Sequence, residues 1–147
     1  MLDALSSGPF YKKYVQLPSM NDPIPEYLNN PKFSPWFDMA IGAMDGTHIN
    51  CCPSAEDRHA ARNHKGSVSQ NCLACCSFSM KFVYFLSGWG GSVADATMYA
   101  YSRLSDLTIP PGKFYLADAG FGICDSLLVP NRGVHYHLAE RGQANIR

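Results

Sequence analysis

Two apolar runs in this chain stop on an aspartate, and that pairing narrows the folds open to it. The first is FDMAIGAMD, residues 37–45; the second, KFYLADAGFG, residues 113–122, reaches Asp118. A carboxylate at the end of a buried run is costly unless something pairs with it. Between the runs, NCLACCSF and KFVYFLSGW flank the turn SMK and read as a hairpin. SVADATMYAYSRLSD then has helical spacing, with Ala94, Met98 and Tyr101 on one face and Ala100 and Leu104 beside it. The order is three strands, a helix and a strand. A right-handed helical crossover returns the fourth strand parallel to the first. As neighbours, the two strands would set Asp45 and Asp118 side by side at their carboxyl ends, where α/β sheets tend to hold ligands. After LLVP the chain turns through NRG into VHYHLAE, read as a last strand.

Two adjacent carboxylates repel, and each raises the other's pKa. A divalent cation removes the conflict. Mg²⁺ takes one or two carboxylates and fills its remaining positions with water and substrate phosphate oxygens. Two such ions, ~4 Å apart, stabilise both the attacking and the leaving oxygens of a phosphodiester displacement. The plainer alternative is that DG and DAG are ordinary turn chemistry. Spacing alone leaves both open.

Other residues sharpen or dilute this reading. Ser92-Val-Ala-Asp95 reads as a capping box, with Ser92 at the N-cap; the sharper alternative is that Asp95 lends the metal site a further carboxylate. His48 either orients Asp45 or a metal-bound water, or only caps the strand end. Arg58, Arg62, His64 and Lys65 form the one local cationic cluster. Such a run is a solvated loop by default and a phosphate-backbone contact in the functional reading. His135 and His137 lie two apart on a strand face, a spacing that suits metal but is commoner among core or surface histidines. The six cysteines include a CxxC within CLACC. They fit small hydrophobes on a buried strand better than a zinc site, with Cys72 and Cys76 on one face and Cys75 on the other.

Twelve basic residues balance twelve acidic ones, so net charge alone demands neither nucleic acid nor membrane. No apolar run is long enough to span a bilayer, and MLDALSSG lacks the pattern of a signal peptide. The expectation is a soluble intracellular protein. Residues 1–35, punctuated by Pro18, Pro23, Pro25, Pro31 and Pro35, read as an extended lead-in with a short helix near YKKYV. Residues 36–147 form the domain.

Five motifs occur in order: AMDGTHI (43–49), RNHKGSVSQNCLACCSF (62–78), SGWGGSVADATMY (87–99), FYLADAGF (114–121) and LLVPNRGVHYHLAE (127–140). In that order they resemble the nuclease domain of Harbinger-type transposases and their domesticated relatives, the DDE superfamily endonucleases, most closely the fungal members. The resemblance implies an α/β, RNase H-like mixed sheet flanked by helices. It also implies a DDE triad holding two Mg²⁺ or Mn²⁺ ions. The family's first aspartate falls on Asp45 and its second on Asp118. The implied activity is metal-dependent cleavage or transfer of DNA phosphodiesters in the nucleus, with a separate DNA-binding partner protein. The family's glutamate lies on a helix beyond Arg147, so the resemblance predicts a domain whose C-terminal part is missing. Glu140 matches the YHLAE strand rather than the glutamate motif. Gly90, His64, Asn131 and His135 stand where relatives usually carry glutamate, arginine, tyrosine and arginine. These departures keep a second reading open, a catalytically inactive module that binds DNA or protein.

Overall fold

The computed structural model describes residues 13, 16–63 and 66–131. Its centre is a five-stranded mixed sheet built from β1 (Ala40–Asn50), β2 (Ser69–Cys76), β3 (Phe82–Gly90), β4 (Phe114–Leu116) and β5 (Leu127–Leu128), in the spatial order β3-β2-β1-β4-β5. One helix, α1 (Asp95–Ser105), joins β3 to β4. The β1-β2-β3 meander is antiparallel; β4 and β5 add to it in parallel, so β1 and β4 are parallel neighbours as the crossover argument requires. This is the α/β, RNase H-like arrangement that the sequence implies.

Burial explains why these segments pair. Met44, Leu73 and Cys75 of the first two strands meet Met98 of α1, Tyr115 of β4 and Leu127 of β5, with Leu107, Ile109 and Phe121 closing the cluster. Fully burying a side chain the size of Met98 is worth roughly 1.5–3 kcal/mol, so α1 is held mainly by this face. The helix stops at Asp106, where the amides of Asp106 and Leu107 both donate to the Ser102 carbonyl, and Pro110 and Pro111 follow.

Four expectations need correction. The first strand does not end at Asp45 but runs on to Asn50, because Gly46 to Asn50 pair without a break against Leu73 to Ser69. Ser92 is not the N-cap: Ala94 holds that position without a side-chain cap, and the Ser92 hydroxyl donates instead to the Ala60 carbonyl at 3.1 Å. The helix packs through Met98 and Ser102, one turn apart, while Tyr101 is 50% and Leu104 90% exposed. Tyr101 meets Trp89 in a T-shaped contact, ring centroids 5.2 Å apart. LLVP contributes a strand of its own, β5, beside β4. The YKKYV helix, Lys13 aside, and the VHYHLAE strand with His135, His137 and Glu140 lie outside the described residues.

Candidate functional site

Asp45 owes its position to strand phase. The β1-β2 register is unbroken from Ala43 to Asn50. Side chains therefore alternate between the faces, and Asp45 points away from the face shared by Met44, Gly46 and His48. On its other side β4 is short: Ala43 pairs with Leu116, the last residue of β4. Two residues further along each chain stand Asp45 and Asp118. Beyond Leu116 no strand flanks β1 on this side among the described residues, which opens a notch at the carboxyl ends of the parallel pair.

Asp118 keeps one oxygen for its own turn. Its Oδ1 accepts the Gly120 amide at 2.8 Å, and a Cβ on Gly120 would come within 2.9 Å of that oxygen. Phe121, fully buried, anchors the far side of the turn. The turn reading of DAG is thus correct, and it leaves the second carboxylate oxygen for other use.

Asp95 opens α1 on the opposite face. The Asn71 side-chain amide, deep in β2, donates to Asp95 Oδ1 and to the Val93 carbonyl, both at 2.9 Å. The carboxylate packs directly on Gly46, where any Cβ would collide with it. Sequence reasoning passed over Asn71 and Gly46. Their signals were an amide inside the apolar run QNCLACC and a glycine in mid-strand.

Electrostatics tie the three acids together. The Asp45 carboxyl is pushed above its ordinary value, chiefly by desolvation. The Gly46 backbone N–H opposes this, and the charges of Asp118 and then Asp95 add to it. Both charges acting on Asp45 are negative. The donor set is all carboxylate oxygen, which suits a hard divalent cation. Asp45 and Asp118 are the residues that could hold one, with Asp95 a further charge behind the strand. Among the described residues no three acidic, histidine or cysteine side chains converge as a ready metal cluster. Strand phase gives the reason, since Asp45 and Asp95 belong to opposite faces.

His48, three residues after Asp45, also lies on the opposite face and does not orient it. Its Nδ1 instead pairs with the buried Ser69 hydroxyl at 3.0 Å, which also accepts the Asn63 side-chain amide at 3.2 Å. Arg58 and Arg62 are exposed and line a shallow cavity of about 370 Å³ with Cys51 and Cys52. Arg62 Nη1 donates to the Gly66 carbonyl at 3.4 Å. His64 and Lys65 lie outside the described residues. Cys72 and Cys75 are buried free thiols three residues apart on β2, and burial pushes the Cys75 thiol up to about 12.

A mixed sheet in this strand order is an α/β, RNase H-like fold, with Asp45 on β1 and Asp118 just past its parallel neighbour β4. The sequence profile of the DDE superfamily endonucleases matches residues 44–146, well over half of the chain, and the chain belongs to that family. No curated protein and no solved structure gives a significant match. Family membership points to a nuclease or transposase-derived function with DNA as substrate, in a family that generally uses divalent metals. No helix among the described residues is long and apolar enough to cross a membrane.

Proposed function

We propose that this chain provides the divalent-metal centre of a transposase-derived DNA endonuclease acting in the nucleus, with Asp45 and Asp118 as its metal-holding catalytic residues. The observation that carries the reading is the register: each aspartate stands two residues past the last β1–β4 pair, Ala43 with Leu116, and among the described residues the charges acting on Asp45 are both negative. Bound Mg²⁺ or Mn²⁺, two ions in the family pattern, supplies charge stabilisation to the attacking and leaving oxygens of the phosphodiester. Asp45 stands on β1 beside the notch and Asp118 just past the end of β4, its turn fixing the carboxylate through the Gly120 amide. Asp95 adds negative potential from behind and is the candidate third acid. Arg58 and Arg62, with His64 and Lys65 next to them in the sequence, are the candidate contacts to the DNA backbone, where each cation positions without reading sequence. A separate DNA-binding partner would supply target choice.

A second reading rests on one observation, that no three-donor cluster forms among the described residues. Two carboxylates hold an ion weakly, and a mobile ion stabilises a transition state poorly. On that reading the chain is a non-catalytic module that binds DNA or a partner protein. A plasmid-nicking assay with Mn²⁺ separates the two. Nicking that falls at least about a hundredfold in Asp45→Ala and in Asp118→Ala, some 3 kcal/mol of barrier, supports the nuclease. If Asp95→Ala falls equally, Asp95 completes the site. Mn²⁺ binding without nicking supports the module, and neither binding nor nicking overturns the metal centre.

A further inference from the structure

The segment between β1 and β2 sets two adjacent thiols and two guanidinium groups around one cavity. Cys51, Cys52, Arg58 and Arg62 line a space of about 370 Å³, which opens to solvent. Its volume is within the ~300–1,000 Å³ range of small-molecule sites. No carboxylate stands among its described lining residues, so the wall is net positive. Asp57 belongs to the adjoining cavity, where its Oδ2 accepts the Ser54 hydroxyl at 2.7 Å. Arg62 gives one donor to the Gly66 carbonyl at 3.4 Å, and a guanidinium carries several more.

The cysteines differ in access. Cys51 is half-buried, and its amide donates back to the Val68 carbonyl at 3.4 Å. Cys52 is exposed, and Pro53 after it favours an extended backbone there. Cys72 and Cys75 are buried and Cys76 is half-buried. Cys124 is the other exposed thiol, but it precedes Asp125 in the chain, and its Sγ lies 3.7 Å from the Tyr99 hydroxyl. The fold thus offers two free, exposed thiols in opposite settings, one among cations and one beside an acid. Thiol–disulfide exchange depends on access to the attacking sulfur. Clustered cations raise the local concentration of an anionic reactant and its rate of encounter. Of the two exposed thiols, Cys52 is the one that combines both.

We propose that Cys52 is a modification site for anionic disulfides of the glutathione type, with Arg58 and Arg62 drawing in the carboxylates of the incoming tripeptide. The Cys52 thiolate attacks one sulfur of glutathione disulfide. The S–S bond breaks, the bond between Cys52 and one glutathione forms, and the other glutathione leaves as its thiolate. The proton that Cys52 gives to solvent is matched by the one the leaving thiolate takes up, and the incoming disulfide is the oxidant. The modification does not depend on the metal centre. Its consequence rests on the reading of Arg58 and Arg62 as DNA contacts: a tripeptide held there excludes a phosphate backbone.

Exchange kinetics on the whole chain at low ionic strength test this with three disulfides: anionic glutathione disulfide, neutral 2-hydroxyethyl disulfide and cationic cystamine. Peptide mass spectrometry reads the rate at Cys52 and at Cys124, each divided by that of a free-thiol peptide. Glutathione disulfide should react at Cys52 at least about tenfold faster than at Cys124, the neutral disulfide should show little preference, and cystamine should reverse the order. Added salt should pull the first ratio towards the neutral one. Arg58→Gln combined with Arg62→Gln should do the same, while Cys51→Ser should keep the preference. Duplex DNA, added without metal, should slow exchange at Cys52 and leave Cys124 unchanged. The same Cys52 to Cys124 ratio for all three disulfides would reduce Cys52 to an ordinary exposed thiol and overturn the proposal, as would a first adduct at Cys51 or Cys124. Charge selection without protection by DNA would overturn the consequence for DNA and uphold the modification site. The comparison of three disulfides on the wild type decides the matter even if the arginine variant fails to fold.

Discussion

β1 and β4 lie parallel, and their two ends handle charge in opposite ways. At the carboxyl ends Asp45 and Asp118 bring like charges together, and the carboxyl of Asp45 is raised as a result of burial and that repulsion. At the amino ends Lys113 and Asp38 line one cavity with opposite charges and do not pair. In one case the sheet register forces groups together that would separate in water. In the other, backbone bonds at Lys113 and the Ser34 contact at Asp38 keep apart groups that would attract. The first gathers like charge at one place, and such a gathering is where a fold holds something for a ligand.

The largest expected effect breaks this comparison cleanly. Mn²⁺ at a hundredfold excess over its Kd should stabilise the folded chain by about 2.7 kcal/mol, read as a rise in Tm. Asp45→Ala and Asp118→Ala should each lose that rise, while Lys113→Met should keep it. A rise that survives both aspartate variants would place the cation elsewhere and end the contrast.

A somewhat smaller effect comes from the packing behind the site. In Gly46→Ala the new Cβ lands on the Asp95 carboxylate, which Asn71 holds in place. Something must shift at the first turn of α1, at a cost of about 1 to 2 kcal/mol. Denaturant melts should show the loss. Adding Asp95→Ala should restore much of it, because the two changes share one contact and are not additive. An unchanged midpoint in Gly46→Ala would mean that Asp95 is free to swing, and so free to join Asp45.

How much of this the sequence held follows from which signals are local. The hairpin at SMK, the helix after SVA and the parallel neighbourhood of β1 and β4 were legible because strand and helix periods and crossover handedness act over short stretches. Their adjacency followed from topology alone. The continuation of β1 past Asp45 was not legible, since GTHIN is polar and becomes a strand only through its pairing with SQNCL. That same extension sets the phase that separates His48 and Asp95 from Asp45. The Ser92 cap failed because the hydroxyl found the Ala60 carbonyl, a contact across more than thirty residues of chain. Asn71 was invisible as a site residue, for it depends on partners brought by a distant segment.

The smallest effect is the most direct reading of the repulsion. In the folded chain the Asp45 carboxyl is raised above its ordinary 3.8, first by desolvation and then by the charges of Asp118 and Asp95. A folded-state pKa above the unfolded one means that the fold binds the proton more tightly. That contribution to stability is fully present below 3.8 and is lost as pH rises through the raised value. At neutral pH the ionised carboxylate is therefore a net cost to the metal-free fold. Asn keeps the size and an acceptor oxygen but carries no charge, so it mimics the protonated form. In EDTA at pH 7, Asp45→Asn should be more stable than the wild type, by less than about 1 kcal/mol because the group is exposed and screened. The gain should shrink as pH falls and vanish near the ordinary carboxylate value, and added salt should blunt it. Saturating Mn²⁺ should reverse the order, since only the wild type then gains a bound cation. A variant less stable than the wild type at pH 7 in EDTA would show that Asp45 already has a favourable partner, and the like-charged end would lose its claim on a metal.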